Sequence, residues 1–205
     1  MNERRPDLVA LLLTALFCIA AWFLLDVRLA LFFRQFTSGP WLGFWNAVTM
    51  AGQSEWYLVG GFALFIALRR SNRGASLSGL FLFASVAVSG LAADLLKAIF
   101  GRARPMLLFE QGIFGLGGLH YEHEWTSFPS GHSATALSAA WSLSLLFPRF
   151  KPLFLAAGLL IAASRMVLTQ HYLSDVAAGS MLGVVTVILL YQRYFRTALD
   201  EARTV

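Results

Sequence analysis

Long apolar runs separated by short polar breaks organise this chain. The first run extends from about Leu8 to Leu25 and is stopped by Asp26 and Arg28. Residues Val27 to Glu55 mix Arg28, Arg34, Phe32, Phe33, Phe36, Trp41, Phe44 and Trp45 around a Gly39-Pro40 break. That mixture predicts interfacial helices lying on a bilayer. Further runs follow at about Trp56–Leu68, Ala75–Phe100, Pro129 or Ser130–Phe147, Leu153–Leu168 and Leu173–Tyr194. Residues 101–128 form the longest loop and are rich in glycine, and residues 196–205 read as a polar tail. A spanning helix needs about 20 apolar residues. The pattern therefore predicts an all-α polytopic membrane protein. It has six transmembrane helices, with extra interfacial helices between the first and second spans. No linker or repeat divides residues 1–205, which read as one domain.

Composition agrees with that class. Of 205 residues, 58% are hydrophobic and only 13% charged, against about 25% charged in soluble domains. Mean hydropathy is +0.65. This excludes a disordered chain and a disulfide scaffold, since Cys18 is the only cysteine. Cys18 reads as a packing residue, because bulky Phe17 before it is unsuited to a signal peptidase site. The first run is therefore expected to be a retained helix. Net charge is +5, but no basic run or nucleic-acid motif accompanies it, so no nucleic-acid partner is expected.

The positive charge instead orients the chain. Ten of the sixteen Lys and Arg residues lie at the termini, the 69–73 loop and the 149–151 turn. They are Arg4, Arg5, Arg69, Arg70, Arg73, Arg149, Lys151, Arg193, Arg196 and Arg203. The positive-inside rule then puts both termini in the cytoplasm. Arg28, Arg34, Lys97, Arg102, Arg104 and Arg165 fall on the opposite side. A multi-pass protein of the inner (cytoplasmic) membrane follows, with its chemistry facing the periplasm.

Three polar groups occupy the outer ends of the predicted helices. They are Lys97 with Arg104-Pro105, then Pro129-Ser130-Gly131-His132, then Ser164-Arg165 with His171 and Asp175. Lys97, Arg104 and Arg165 supply three cations, two with a planar fork suited to phosphate. Ser130, Gly131 and His132 open a helix, whose free N–H groups and positive dipole end favour an anion. His171 and Asp175 are four apart and share a helix face. The carboxylate can hold one ring nitrogen as a donor and leave the other as a nucleophile. His132 has no matching carboxylate and suits a proton donor. Taken singly, each feature has a bland reading as a loop corner, a helix cap or a structural hydrogen bond. Together they fix eleven identities at set spacings on one membrane face.

These three motifs resemble the signature of the type 2 phosphatidic acid phosphatase superfamily. All eleven signature residues are present, and the core signature spans 97–175. The resemblance implies that His171 attacks phosphorus to form a phosphohistidine. It implies that Asp175 orients His171, and that His132 protonates the leaving oxygen and then activates water. Lys97, Arg104, Arg165, Ser130 and the Gly131 amide would hold the phosphoryl oxygens. It implies no metal and no cofactor.

The residues around the signature leave more open. Arg102 reads either as a further phosphate contact or as a headgroup anchor. Asp94, three before Lys97, reads as its pairing partner. His120, Glu122, His123 and Glu124 resemble a metal cluster only superficially and read as a solvated loop, with substrate headgroup contact next. Gln53, Ser54 and Glu55 read as a helix cap or the lining of a lipid entrance.

The expected activity is hydrolysis of a lipid phosphate or diphosphate of the cell envelope. The four candidate classes are undecaprenyl diphosphate, phosphatidylglycerophosphate, phosphatidic acid and lipid A 1-phosphate. A lipid phosphotransferase with the same site is the alternative, and a non-catalytic transporter or lipid-binding protein a more distant one. A haloperoxidase is disfavoured by the apolar spans. Oligomeric state and headgroup preference are not legible.

Overall fold

The structure, a computed structural model, describes residues 8–203. Arg4 and Arg5, which contribute to the orientation count, lie outside them, as do Thr204 and Val205. The described chain is helical, with no strand among the described residues and one isolated bridge between Arg102 and Leu116. Helices α1 (Leu8–Leu24) and α2 (Asp26–Arg34) meet at a 59° bend. They are followed by α3 (Trp41–Met50), α4 (Ser54–Leu68) and α5 (Arg73–Phe100). Next come α6 (Pro105–Gln111), α7 (Gly131–Leu146), α8 (Lys151–Val167) and α9 (Leu173–Leu190). A π turn, Tyr191–Phe195, joins α9 to α10 (Arg196–Arg203).

The apolar runs and the helices coincide within about two residues for α4, α5, α7, α8 and the start of α9. Among the described residues three segments are long and apolar enough to cross a membrane, Arg73–Phe100, Pro148–Val167 and Leu173–Ala202. The bent α1–α2 pair would make a fourth. Helices α4 and α7, with 15 and 16 residues, are shorter than that standard.

Two expectations are corrected. Residues 196–203 are not a polar tail but a helix folded against α5. Leu199 is buried there with Phe81, Leu145 and Val187. The 101–128 segment is not all loop, because it contains α6, with Pro105 in the first turn and Gly112 at φ +70° behind the last. Pro at a helix start and Gly just past its end are the usual punctuation of a short helix. The first run stops where it was read, with α1 ending at Leu24, and Asp26 just beyond it is fully buried.

Helix α7 is the centre of the molecule. Ser, Thr and Ala side chains bury it on nearly every side between α5, α8 and α9. Small residues let the backbones close in. A Cβ added at Gly179 would stand 2.3 Å from the Ser130 carbonyl oxygen, and one at Gly183 would stand 2.4 Å from that of Ala134. Because the obstructing atoms are backbone, neither collision can be relieved by a side-chain rotation. We expect Gly179→Ala to destabilise the protein by about 1–3 kcal/mol, the usual cost of overpacking. It should also lower activity, because the residue forced to move is Ser130. Thermal unfolding in detergent checks the first effect, and a wild-type melting temperature would contradict it.

Candidate active site

The chain between α5 and α7 is held as a clamp. Gly101 turns out of α5 at φ +51°, where a Cβ would fall 1.7 Å from the Gly118 oxygen, so only glycine fits. Gly117 N–H then donates to the Gly101 carbonyl at 2.7 Å and Ala103 N–H to that of Gly115 at 3.0 Å. On the other side, Arg104 N–H donates to the Glu124 carbonyl at 2.8 Å and Ser127 N–H to that of Arg102 at 3.0 Å. Arg102, Arg104 and Ser127 are thereby placed in one rigid layer.

Ser130 caps α7, its Oγ accepting from Ser133 N–H at 3.4 Å and Ser133 Oγ–H at 2.9 Å. Its own N–H donates to the Asp175 carbonyl at 3.0 Å, which ties the start of α7 to the first turn of α9. The N–H groups of Gly131 and His132 have no acceptor within their helix, and such a helix end is suited to an anion. Lys97 reaches over it, and a Cβ at Gly131 would meet its Nζ at 2.8 Å. Asp94 Oδ1 accepts from the same Nζ at 2.9 Å.

Arg104 and Arg165 are buried at 8% exposure each. Arg104 Nη2 donates to the Thr126 carbonyl at 3.4 Å, and Arg165 Nη1 to Thr49 Oγ1 at 2.7 Å. Burial holds the Arg104 pKa below its usual value, opposed by the Asp175 charge. Lys97, Arg104 and Arg165 all bear electrostatically on the His132 ring, and both arginines bear on His171. The structure thus gathers the three cations and two histidines at the start of α7.

His171 sits in the turn between α8 and α9. Thr169 at φ +52° turns the backbone there, and His171 N–H donates to the Arg165 carbonyl at 3.2 Å. Its Nδ1–H donates to the Ser127 carbonyl at 2.8 Å. With that proton on Nδ1, Nε2 holds the lone pair. Asp175 Oδ2 lies 3.8 Å from Nδ1, beyond hydrogen-bond range. It accepts instead from Ser127 Oγ–H at 2.6 Å and Tyr172 N–H at 2.8 Å. The carboxylate therefore acts on the ring by charge and through Ser127. Ser127 itself was not singled out from the sequence, because nothing in its local pattern marks a loop serine.

Arg102 corrects both readings made of it. It is 0% exposed, with no surface left for a phosphate oxygen or a lipid headgroup. Its Nη2 donates to Asp26 Oδ2 at 2.8 Å, and its Nη1 donates to Ser174 Oγ at 2.6 Å and to Asp175 Oδ1. The guanidinium lies 3.9 Å from the Trp22 ring and 4.5 Å from the Tyr172 ring.

A recess of about 300 Å³ opens beside the site, lined by Lys97, Arg104, His120, Tyr121, His123 and Thr126 among others. His120 stacks on Trp125 at 4.6 Å and its Nδ1 pairs with Glu122 Oε2 at 3.0 Å. The charge of Arg104, then burial and Lys97, hold the His123 pKa below its ordinary value. Among the described residues no three His, Cys, Asp or Glu side chains converge as metal ligands. Thr49 brings α3 to the site as well, and a Cβ at Gly52 would approach His132 Cδ2 to 3.3 Å. The 27–55 region thus flanks the site as well as exposing Phe32, Phe36 and Phe44 outward.

Burial pushes the His171 imidazole down to about 3, with Asp175 pulling the other way and Arg104 and Arg165 adding to the depression. The ring is therefore neutral near pH 7. Unfolded, it would titrate near 6.5, so below that pH the unfolded state binds the extra proton. Stability linked to this group is full above about pH 6.5 and falls as pH drops toward 3. Between pH 7 and 5 the loss is about 2 kcal/mol. We expect the melting temperature of His171→Gln to fall less over that interval than the wild type's. Parallel pH profiles would contradict this.

A family model described as the PAP2 superfamily matches residues 78–198. Over 148 residues the chain is 36% identical to a lipid A 1-phosphatase of Rhizobium johnstonii. That match covers 66% of this chain and 61% of the relative, so the chain spans less than two thirds of the relative's length. Among solved structures it resembles LpxE of Aquifex aeolicus, with TM-score 0.63 and 24% identity. That likeness covers 82% of this chain and 95% of the other. It also resembles a transmembrane PAP2 type phosphatidylglycerolphosphate phosphatase of Bacillus subtilis. There the TM-score is 0.58 at 18% identity, over 94% of this chain and 96% of the other. At these identities the two structures speak to the fold.

Proposed function

The chain belongs to the PAP2 superfamily, and from that premise we propose that it is an integral-membrane lipid phosphatase. The lead substrate class is lipid A 1-phosphate, because the Rhizobium relative bears that name. Undecaprenyl diphosphate, phosphatidylglycerophosphate and phosphatidic acid are the competing classes. The observation that carries the reading is the meeting of Lys97, Arg104 and Arg165 with His132 and His171 at the start of α7.

In the proposed reaction the three cations and the Gly131 and His132 amides hold the phosphoryl oxygens, with Ser130 ordering that helix end. Phosphoryl transfer depends mainly on such positioning and charge stabilisation. The His171 Nε2 lone pair forms an N–P bond as the P–O bond to the lipid breaks, and His132 gives its proton to the departing oxygen. A water then attacks phosphorus while His132 takes its proton. The N–P bond breaks, and phosphate and the resting histidine are restored. No step passes through a metal.

Six spans, cytoplasmic termini and a periplasm-facing site complete the proposal, supported by the apolar runs and the distribution of basic residues. The test is phosphate release by the purified protein in detergent, across the four lipid classes and with excess chelator. Lipid A 1-phosphate should be turned over fastest, with no loss in chelator. Absence of release from every lipid would overturn the reading. Radiolabelled phosphate appearing on a second lipid instead of in solution would favour the phosphotransferase alternative.

A further inference from the structure

We propose that Asp26 is a positioning residue for phosphoryl transfer, supplying through Arg102 the excess negative charge that stabilises His171 as it becomes cationic. The proposal rests on the phosphatase reading above. Asp26 lies at the bend between α1 and α2, 149 residues before Asp175 by numbering (175 − 26). Yet the two carboxylates grip opposite ends of one guanidinium. Asp26 Oδ2 accepts from Arg102 Nη2 at 2.8 Å, and Asp175 Oδ1 accepts from Nη1. All three side chains are 0% exposed. The far end of the chain continues from Asp175 Oδ2 to Ser127 Oγ at 2.6 Å, and from the Ser127 carbonyl to His171 Nδ1 at 2.8 Å.

Count the charge in this buried string. Asp26 and Asp175 contribute −2 and Arg102 contributes +1, for a net −1 in this triad away from water. A single Asp–Arg pair would have been neutral. Burying a third charge is costly, so a second carboxylate on an arginine already paired is not explained by stability alone. The reaction supplies a use for it. In the ground state His171 is a neutral imidazole. As Nε2 bonds to phosphorus the ring acquires positive charge, while Arg104 and Arg165 already bear on it with the same sign. A net negative string behind Nδ1 stabilises that charge only as it forms. Interactions made only in the transition state raise kcat without altering substrate binding.

The site is built to hold Asp26 still. Its Oδ1 accepts from Ser174 N–H at 3.0 Å and its Oδ2 from Ser174 Oγ–H at 2.5 Å. Trp22, one turn earlier on α1, covers the guanidinium at 3.9 Å. The bend between α1 and α2 thus delivers a π face and a carboxylate together. These same bonds also clamp α1–α2 to α9, so the test must separate charge from clamping.

Asp26→Asn keeps the size and the Oδ1 acceptor but removes the charge. Asp26→Glu keeps the charge but disturbs the fit. Both are measured against wild type in detergent for melting temperature, and for kcat and KM per folded molecule on the best lipid phosphate. The charge role predicts that Asp26→Asn lowers kcat by about 10- to 100-fold, with KM within a few-fold. It also predicts that Asp26→Glu retains more kcat than Asp26→Asn. A clamp alone predicts no such order: both variants disturb the buried contact to Arg102, and kcat then falls in step with melting temperature in each. Wild-type kcat in folded Asp26→Asn, or a loss confined to KM, overturns the proposal. If Asp26→Asn does not fold, a large kcat loss in folded Asp26→Glu overturns it, and near-normal kcat supports it. Failure of both to fold assigns Asp26 to the clamp. Wild-type inactivity on every lipid overturns the phosphatase reading and this proposal with it, whereas an active wild type with an equally active Asp26→Asn overturns this proposal alone.

Discussion

His171→Ala is expected to lower turnover of a lipid phosphate by at least about 10⁴-fold while the protein remains folded. The reason is local. His171 is 4% exposed and has its Nδ1–H committed to the Ser127 carbonyl, so Nε2 is the atom left to bond phosphorus. Alanine removes that atom and leaves the phosphate-binding groups in place. Lys97 still stands over the start of α7, and Arg165 keeps its bond to Thr49 at 2.7 Å. Inorganic phosphate should therefore still inhibit or bind, with a dissociation constant within a few-fold of wild type. The pairing of lost kcat with retained phosphate affinity distinguishes a missing nucleophile from a collapsed site. Normal turnover by this variant would end the proposed mechanism.

Asp175→Asn is expected to have the next largest effect, a fall in kcat of about 10³- to 10⁴-fold, as when a histidine loses the acid that orients it. Unlike His171→Ala, it should also destabilise the protein, by about 3–5 kcal/mol, because one partner of a buried ion pair is removed. Asp175 Oδ2 accepts from Ser127 Oγ–H and Tyr172 N–H, and Oδ1 accepts from Arg102. An amide can accept through only one of these two atoms. Whichever way it turns, its NH₂ group faces donors, either Arg102 or the Ser127 and Tyr172 pair. Ser127 then loses its anchor, and with it the fixed position of the carbonyl that holds His171. Thermal unfolding and steady-state kinetics on the same sample check both parts. A stable variant with full kcat would show that Asp175 is not the keystone of this network.

The residues that could be read from the sequence share a property, in that their evidence is local. Apolar runs place α4, α5, α7 and α8 within about two residues because burial in lipid or protein demands a continuous run. Ser130, Gly131 and His132 are contiguous, and His171 and Asp175 are four apart, so helix geometry alone groups them. Asp94 and Lys97 pair at 2.9 Å for the same reason. Where the sequence misled, the decisive contacts are remote. Asp26 does mark the end of α1, as read, but an aspartate at that depth is expensive unless paired, and no local residue shows its pair. Its partner Arg102 is 76 residues away. Helix α6 was legible in principle from Pro105 and Gly112, but its seven residues are too short for periodicity to register. Helix α10 escaped because its polar face outweighs Leu199, the one large apolar residue that docks it.

The sequence by itself determined the helical class, the family signature and most of the groups proposed to bind phosphate. Those follow from hydrophobic period and from short-range spacing, which one chain segment can satisfy alone. Tertiary structure decided which charges meet. It turned Arg102 away from the phosphate and into a buried string between Asp26 and Asp175, made Ser127 the hydrogen-bond acceptor of His171, and brought Thr49 to Arg165. A buried charge finds its partner only when helices distant in sequence pack together, and here glycines such as Gly179 and Gly183 let that packing close.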